Sequence, residues 1–357
     1  MGVQVLASAL RGLGRRGDVS PAGVSGPLPE APFRVTTPAR HELTPEQLRS
    51  YEEEGFCVCR SWFTAAEIAL LGTAIETDPE LSAQEITVPD TQGLDTRLAL
   101  WMQLGDDTCS MFARSASLVR AATVLMGGSE PYHSHSKVLL KEPGVGGAWE
   151  WHQVGTVPCA ARACSLRQQS LPSPTRVSRQ DFGYYYNEGL LQPEKVTNVA
   201  IAVDSNTSRN GCMRFIKRSH TLGRVEHGVF GEQTGADPAM VARALRIPGF
   251  EEVELTMERG DICWFHSNLM HCSAANTSPA WRRNLITVFN SRHNEPDPAM
   301  AAVSGQPMYT PIAVVEDAAI LSGGYKGLDP ELNDFLDQEA ASASIHEELG
   351  KAKAAED

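Results

Sequence analysis

A histidine and an arginine stand close together in the segment GDICWFHSNLMHCSAANTSPAWRRNLITVFNS, residues 260–291. The segment is typical of a strand, a loop and a second strand, with His271 after the first strand and Arg282 where the second begins. In an antiparallel hairpin these two places adjoin, so we expect both side chains to face one cavity. A neutral imidazole is a common iron ligand, and a guanidinium binds a carboxylate in bidentate fashion. Each residue alone has an ordinary alternative, a hydrogen-bonding histidine or a surface arginine.

A second set of candidate ligands is divided between two places in the chain. His152 and Gln153 end WEWHQ, whereas Asp181 begins DFGYYYN after the intervening residues 154–180. Without that run the chain would read WEWHQDFGYYYNEG, which contains a His-Gln-Asp triplet. Residues i and i+2 of a strand point to the same side, so such a triplet suits a shared metal ion. Non-haem iron oxygenases hold Fe(II) with two histidines and one carboxylate and leave other positions open.

The elements that must position these residues are of two kinds. Before residue 130 the chain predicts helices: one capped by Thr44 and ended by Gly55, one capped by Thr64, and one around 107–126. From 131 to 292 short apolar runs alternate with Gly, Asn, Asp and Pro, which favours an antiparallel sandwich or barrel. PAMVARALRIPG predicts a helical insertion within it.

Five blocks of the sequence, taken in order, resemble the phytanoyl-CoA dioxygenase family of Fe(II)- and 2-oxoglutarate-dependent oxygenases. The blocks are LTPEQLRSYEEEGFCVCRSWFTAAEI, LLKEPGVGGAWEWHQ, DFGYYYN, VAIAVDSNTSRNGCMRFIKRSHTLG and GDICWFHSNLMHCSAANTSPAWRR. The resemblance covers residues 41–294. It implies a mainly β fold with flanking helices, the double-stranded β-helix or jelly roll. It also implies a dioxygenase that uses Fe(II), O2 and 2-oxoglutarate, with ascorbate as a supporting reductant, to hydroxylate a small or lipid-like organic molecule.

The resemblance also implies roles for individual residues. His152, Asp181 and His271 match the metal ligands, and Arg282 matches the clamp on the distal carboxylate of 2-oxoglutarate. Three further cosubstrate contacts and three substrate-pocket aromatics are expected: Ser273, Lys137 and Asn198 for the cosubstrate, and Trp151, Tyr184 and Tyr185 for the pocket. Lys137 has the alternative of a solvated strand residue, Asn198 that of a structural amide, and the aromatics that of core residues. One departure from the family pattern is Arg218, which stands where a glycine often precedes Ser-His.

The run at 154–180 differs from both its flanks. It holds four Arg and three Pro but no acidic and no aromatic residue. It begins with Val, whose codons start with GT, and ends with Gln, one of whose codons ends in AG. We therefore interpret it as a retained intron or a misplaced exon boundary, with a genuine loop insertion as the alternative. Because it divides the backbone between two ligands, we expect it to weaken iron binding and activity, and a non-catalytic jelly-roll binding protein is the alternative function.

Bulk properties limit the remaining possibilities. A formal charge of −13 argues against a nucleic-acid partner, and no apolar run is long enough to span a bilayer. The eight cysteines show no zinc spacing, which favours reduced thiols inside the cell. Residues 1–40 are rich in Arg, Gly and Pro and predict a disordered extension or a transit peptide, so a cytoplasmic or mitochondrial location is favoured over a peroxisomal one. The oxygenase domain is predicted over 41–328 and an acidic tail over 329–357.

Overall fold

The computed structural model describes residues 32–153, 195–296 without 224, 226, 231 and 232, then 298, 301 and 307–329. Residues 1–31 of the predicted N-terminal extension, the run at 154–180 and all of the acidic tail after Asp329 therefore lie outside the described residues, whereas residues 32–40 of the extension are described, and Arg40 bonds Glu67 and Asp317. The chain divides into a unit of residues 1–32 and a unit of residues 33–357. All of the helices and strands described belong to the second unit.

Two capped helices begin the described fold, as the sequence predicts. Helix α1 (Pro45–Glu54) has a capping box in which Thr44 and Gln47 bond each other's backbone, and it ends at Gly55 in the left-handed region with φ 88°. Helix α2 (Ala65–Thr77) repeats the capping box with Thr64 and Glu67. A short α3 (Pro79–Ala83) follows directly.

The helix predicted around 107–126 is two helices, α4 (Thr108–Arg114) and α5 (Ala116–Leu125). Ser115 between them is extended, with ψ 138°, and forms an isolated parallel bridge with Val315. The Val315 backbone accepts from the Ala116 N–H and donates to the Arg114 carbonyl. Hydrogen bonding to a distant segment thus draws the backbone out of the helix, which local sequence does not indicate.

A seven-stranded antiparallel sheet forms the larger layer, in the order β1-β11-β6-β13-β4-β3-β2. Its strands are β1 (Phe56–Cys59), β2 (Ile86–Pro89), β3 (Asp95–Trp101), β4 (Pro131–Lys141), β6 (Val196–Ala202), β11 (Ile262–His266) and β13 (Arg282–Ser291). β4 and β13 are the longest of these strands and pair with each other from Arg282 opposite Lys141 to Ser291 opposite Pro131.

The smaller layer is a four-stranded antiparallel sheet in the order β10-β7-β12-β5. Its strands are β5 (Trp149–His152), β7 (Met213–Ile216), β10 (Glu252–Glu254) and β12 (His271–Ser273). A separate hairpin joins β8 (His227–Phe230) to β9 (Gln233–Ala236), and the predicted helical insertion is α6 (Pro238–Ala244). A 3-10 helix (Ser219–Leu222) and α7 (Ala319–Ser322) complete the elements described.

The large sheet is buried on both faces because its alternate residues enter different cores. On β6, Val199 and Ile201 pack in the core shared with the helices, whereas Ala200 and Ala202 pack in a second core with Phe215 of the small sheet. Every residue of β6 is buried, as expected for a central strand covered on both sides. Of the helices described, none is long and apolar enough to cross a membrane.

Candidate functional site

Two histidines face each other across neighbouring strands of the small sheet. His271 of β12 lies directly opposite His152 of β5, and their ring centroids are 4.0 Å apart. The pairing then shifts, because Ser273 lies opposite Trp149 and β5 therefore contains one more residue than β12 over this interval. Such a bulge changes which side chains share a face. It brings Trp149, His152, His271 and Ser273 to one pocket.

Backbone carbonyl groups orient both imidazoles in the same way. His152 bonds the Glu150 carbonyl through Nδ1 at 2.7 Å, and His271 bonds the Leu269 carbonyl through Nδ1 at 2.9 Å. A carbonyl only accepts, so Nδ1 carries the proton in each ring and Nε2 keeps its lone pair. Burial and the adjacent His271 hold the pKa of His152 well below its usual range, and burial lowers the pKa of His271 to about 4. Both rings are thus neutral near pH 7, the form that binds a metal ion.

Gln153 anchors the end of β5 beside His152. Its Nε2 donates to the carbonyls of Gly223 and Asn268, and its Oε1 accepts from the Val225 N–H. The Gln153 N–H in turn donates to Nε2 of His227 at 3.0 Å. The amide side chain therefore has partners for both its nitrogen and its oxygen, and it ties β5 to two separate loops.

Arg282 supplies a buried cation at the start of β13, with 1% of its surface exposed. Its Nε and Nη2 both donate to the Gly211 carbonyl, at 3.0 and 2.8 Å, whereas Nη1 has no partner among the described residues. Burial lowers the pKa of Arg282 to about 10, which still leaves it charged at neutral pH. A buried guanidinium with a free N–H edge is suited to a carboxylate ligand.

The pocket between the sheets joins the histidines to the arginine. It is partly open to solvent, and the space not filled by protein atoms within it and at its mouth is about 640 Å³. Its lining combines the two histidines, three cationic side chains and a mostly apolar wall: Thr96, Leu98, Leu100, Lys137, Leu139, Lys141, Trp149, His152, Met213, Phe265, His271, Cys272, Ser273, Arg282 and Ile286. Burial lowers the pKa of Lys137 to about 8. None of the described residues that line the pocket is Asp or Glu.

The structure thus brings together His152, His271, Arg282, Ser273 and Lys137 of the residues singled out in the sequence. Among the pocket-lining residues, Trp149 and Lys141 were missed. The i and i+4 spacing of Lys137 and Lys141 on one strand was a signal for Lys141, since it places both on the same face.

Two other expected residues lie outside the pocket lining. Asn198 is fully buried, and its amide donates to the Phe265 carbonyl at 3.1 Å and to the Ser267 hydroxyl at 3.4 Å. Trp151 packs in a different cluster around Met270, with the Arg214 guanidinium 5.9 Å from its ring. The cosubstrate role of Asn198 and the pocket role of Trp151 remain predictions that no contact with the pocket supports.

Asp181, Tyr184 and Tyr185 lie outside the described residues. Within the part of the chain that is described, no group of three His, Cys, Asp or Glu side chains is placed to hold a metal ion. The two imidazoles provide two nitrogen ligands on one face, and a further ligand must come from elsewhere. The two imidazole nitrogens are donors that suit Fe(II).

Comparison with known sequences gives one family match and several distant relatives. The sequence model of phytanoyl-CoA dioxygenase (PhyH) matches residues 168–284, a range that includes Asp181, His271 and Arg282. Ectoine dioxygenase of Bordetella bronchiseptica is 22% identical over 285 residues, 74% of this chain and 81% of that protein. L-proline trans-4-hydroxylase of Streptomyces griseoviridis is 27% identical over 206 residues, 54% of this chain and 66% of that protein.

Solved structures resemble the fold at low sequence identity. EctD from S. alaskensis, with 2-oxoglutarate and 5-hydroxyectoine, matches with a TM-score of 0.56 and 19% identity, covering 77% of this chain and 88% of EctD. The epimerase SnoN, in complex with Fe3+, alpha ketoglutarate and nogalamycin RO, matches with a TM-score of 0.53 and 17% identity, covering 81% of this chain and 96% of SnoN. The predicted double-stranded β-helix is confirmed.

Proposed function

We propose that the chain, whose residues 168–284 match the sequence model of the phytanoyl-CoA dioxygenase family, is an Fe(II)- and 2-oxoglutarate-dependent oxygenase of that family and hydroxylates a small or lipid-like organic substrate in the pocket between its sheets. One observation carries the proposal. Two neutral imidazoles, each with Nδ1 bonded to a backbone carbonyl and Nε2 therefore unprotonated, share a pocket with a buried guanidinium whose Nη1 has no partner among the described residues. Such a pocket combines ligands for a metal ion with a cation for a carboxylate.

His152 and His271, together with Asp181, would hold the metal ion. When bound, Fe(II) supplies the dioxygen chemistry that couples decarboxylation of 2-oxoglutarate to succinate and CO2 with hydroxylation of the substrate. The carbonyls of Glu150 and Leu269 keep Nδ1 of each ring protonated, so that only Nε2 is directed to the ion. The protein thus fixes the tautomer and the ring orientation before the ion arrives.

Arg282 would bind the distal carboxylate of 2-oxoglutarate through its free Nη1 edge. The Gly211 carbonyl holds the opposite edge of the guanidinium and limits its rotation. Ser273 and Lys137 line the same pocket and would donate to other oxygens of the cosubstrate. The apolar wall, which includes Trp149 and Phe265, makes the surroundings less polar than water and so strengthens these charged contacts.

The substrate class is proposed from the pocket and the relatives together. Two relatives are named for small molecules, ectoine and L-proline, which supports a small organic substrate. The apolar wall also suits a longer aliphatic group. The fold does not choose between these, because one scaffold serves many substrates.

The test of the function is turnover of 2-oxoglutarate with Fe(II) and ascorbate, followed as succinate release, by the purified full chain and by the protein that lacks residues 154–180. We expect Arg282→Ala to abolish cosubstrate use, with Arg97→Ala as the matched control. Arg97 lies on β3, which β4 separates from β13. It is outside the pocket lining and forms an ion pair with Glu85. Succinate release that does not depend on Arg282 would contradict the proposal.

We further propose that the run at 154–180 impairs this chemistry. Val154 follows Gln153 where a His-x-Asp triplet would have its carboxylate, and valine has no metal-binding atom. Placement of a ligand to within about 0.5 Å normally depends on a rigid backbone between the residues concerned. If the impairment is complete, the alternative is an inactive jelly-roll binding protein.

Deletion of residues 154–180 tests the impairment directly. We expect the shortened protein to bind Fe(II) more tightly and to release succinate faster than the full chain. Equal iron affinity and equal succinate release from the two proteins would refute the impairment. Sequencing of the transcript across this junction addresses the origin of the run, since abundant mature RNA encoding it would exclude a retained intron.

A further inference from the structure

Strand β5, which carries His152, lies at the edge of the small sheet. Its neighbour in that sheet is β12, in the order β10-β7-β12-β5. The β8–β9 hairpin lies alongside the outer edge of β5, the edge away from β12, but forms a separate two-stranded sheet. The edge of a sheet presents backbone N–H and C=O groups that no further strand binds. The position of His152 therefore depends on what binds this outer edge.

Gln233 of β9 binds the outer edge of β5 before His152. Its Oε1 accepts from the Glu150 N–H at 3.0 Å, and its Nε2 donates to the carbonyls of Ala148 at 3.0 Å and Pro89 at 3.2 Å. Gln233 is only 2% exposed, which shields these bonds from water. Glu150 is also the residue whose carbonyl accepts from Nδ1 of His152. Gln233 thus fixes the residue that orients the imidazole and keeps its Nε2 unprotonated.

His227 of β8 binds the same edge after His152. Its Nε2 accepts from the Gln153 N–H at 3.0 Å, and that N–H belongs to the peptide group that follows His152. Its Nδ1 bonds the Val225 carbonyl at 2.7 Å, and because a carbonyl only accepts, Nδ1 carries the proton and Nε2 is the acceptor. The Val225 N–H in turn donates to Oε1 of Gln153. Side chains of the hairpin therefore hold the backbone on both sides of His152.

We propose that Gln233 and His227 are positioning residues for the metal site, and that through them the β8–β9 hairpin holds His152 with Nε2 directed to the ion. The inference rests on the proposed function, in which His152 is a metal ligand. The strand of the other histidine, His271, is held differently, because β12 pairs with β7 on one side and with β5 on the other. Backbone pairing thus fixes β12 at both edges, whereas β5 depends on side chains at one of its edges.

The contacts of Gln233 predict what its loss would do. Without its acceptor, the Glu150 N–H has to find another partner, which favours a shift of the β5 backbone. Such a shift moves the Glu150 carbonyl away from Nδ1 of His152, so that the proton can move to Nε2 and block that atom as a ligand. Loss of a partner just outside the metal ligands typically lowers metal affinity about 10- to 100-fold.

The test measures Mn(II) affinity of the purified full chain, from the electron paramagnetic resonance signal of the free ion, together with the free energy of unfolding. We expect Gln233→Met to lower Mn(II) affinity about tenfold. Gln47→Met is the matched control, because the Gln47 amide likewise accepts from a backbone N–H, that of Thr44, and donates to a carbonyl, that of Val58. It should lower the stability but leave Mn(II) affinity unchanged.

A second measurement reports on His152 without any metal. In protein labelled with 15N-histidine, the imidazole shifts of His152 show which ring nitrogen carries the proton. We expect the proton on Nδ1 in the unaltered chain and in Gln47→Met, and a mixture of the two tautomers in Gln233→Met.

A separate pair of variants decides the question if Gln233→Met does not fold. His227→Phe removes the acceptor of the Gln153 N–H and should lower Mn(II) affinity about tenfold. His227→Gln keeps a side-chain acceptor and should recover most of that loss.

Unchanged Mn(II) affinity in the hairpin variants would overturn the inference. An equal loss of affinity in Gln47→Met would also overturn it, since the loss would then follow stability rather than the position of His152. Failure of the proposed function has a different signature: neither the full chain nor the protein lacking residues 154–180 would bind Mn(II). The 15N spectra of Gln233→Met would then decide whether the hairpin sets the tautomer of His152.

Discussion

The two sides of the pocket hold their functional groups by different means. On the large sheet, Lys137, Lys141 and Arg282 lie on β4 and β13, which pair in nearly unbroken register over ten positions of β13. On the small sheet, His152 and His271 lie on strands of four and three residues whose pairing is broken by a bulge. Many backbone hydrogen bonds between β4 and β13 therefore position the cations, whereas few backbone hydrogen bonds join the strands that carry the imidazoles.

Side-chain hydrogen bonds replace the ladder on the small sheet. Each imidazole is bound by a backbone carbonyl two residues before it, and Gln153 ties the end of β5 to the Gly223, Val225 and Asn268 backbone. Such contacts are local and few, so one substitution is expected to displace a ligand. We therefore expect loss of a single polar contact to lower ligand affinity more on the histidine side of the pocket than on the cation side.

The largest effect is expected from removing an imidazole. His271→Ala should lower the Mn(II) affinity by at least about 100-fold, the upper value for loss of a partner outside the ligand shell and hence a lower bound for a ligand. The affinity is measured by equilibrium titration of the purified chain. Exposed His293→Ala is the control and should not change it. If His271→Ala bound Mn(II) as tightly as the unaltered protein, His271 would not be a metal ligand.

On the cation side, Arg282→Met should raise the Kd for 2-oxoglutarate by about 10- to 100-fold, as expected for loss of a charge-assisted hydrogen bond. Mn(II) affinity without cosubstrate should stay within about threefold, because the guanidinium lies outside the metal ligands. Both constants come from titrations of one protein preparation. A large loss of Mn(II) affinity would show that the two sides of the pocket are not independent.

A smaller effect on Mn(II) affinity distinguishes positioning by side-chain hydrogen bonds on the small sheet from positioning by paired strands on the large sheet. Gln153→Ala removes three side-chain hydrogen bonds at the end of β5 and should lower Mn(II) affinity about tenfold. Thr287→Val removes a buried hydroxyl that lies 3.0 Å from the Ser136 hydroxyl within the β13–β4 ladder. It should leave both the Mn(II) and the 2-oxoglutarate affinities unchanged. Equal effects of the two substitutions would contradict the comparison.

The effect least directly tied to ligand binding is a pH dependence of stability in the metal-free protein. Burial lowers the pKa values of His133, His266 and His271 to about 4, below the unfolded value of about 6.5. Between these values the unfolded chain binds more protons than the folded one, so stability is full above about pH 6.5 and is lost as the pH falls towards 4. His271→Gln should reduce this slope by at most about 1.4 kcal/mol per pH unit, measured by denaturant unfolding. An unchanged slope would show that His271 is not buried as a neutral group.

Much of the site was predictable from the sequence because histidine and arginine side chains bind characteristic ligands, a metal ion and a carboxylate respectively. His271 and Arg282 were expected to face one cavity because their segment was predicted to form an antiparallel hairpin. Both line the pocket, but the hairpin was wrong, since His271 lies on β12 of the small sheet and Arg282 on β13 of the large sheet. The caps Thr44 and Thr64 were visible as local hydrogen-bonding patterns. The caps depend on neighbours within a few residues, which is why sequence patterns predict them.

Other features arise only when distant strands pair. The bulge between β5 and β12 directs Trp149 into the pocket, while Trp151, predicted from its place beside His152, packs in another cluster. Ser115 leaves its helix because it pairs with Val315, far away in sequence. The burial of Lys141 opposite Arg282 is likewise a property of the β4–β13 pairing. Residue types therefore determined the chemistry, whereas strand pairing and register, which long-range backbone hydrogen bonds decide, determined which side chains meet.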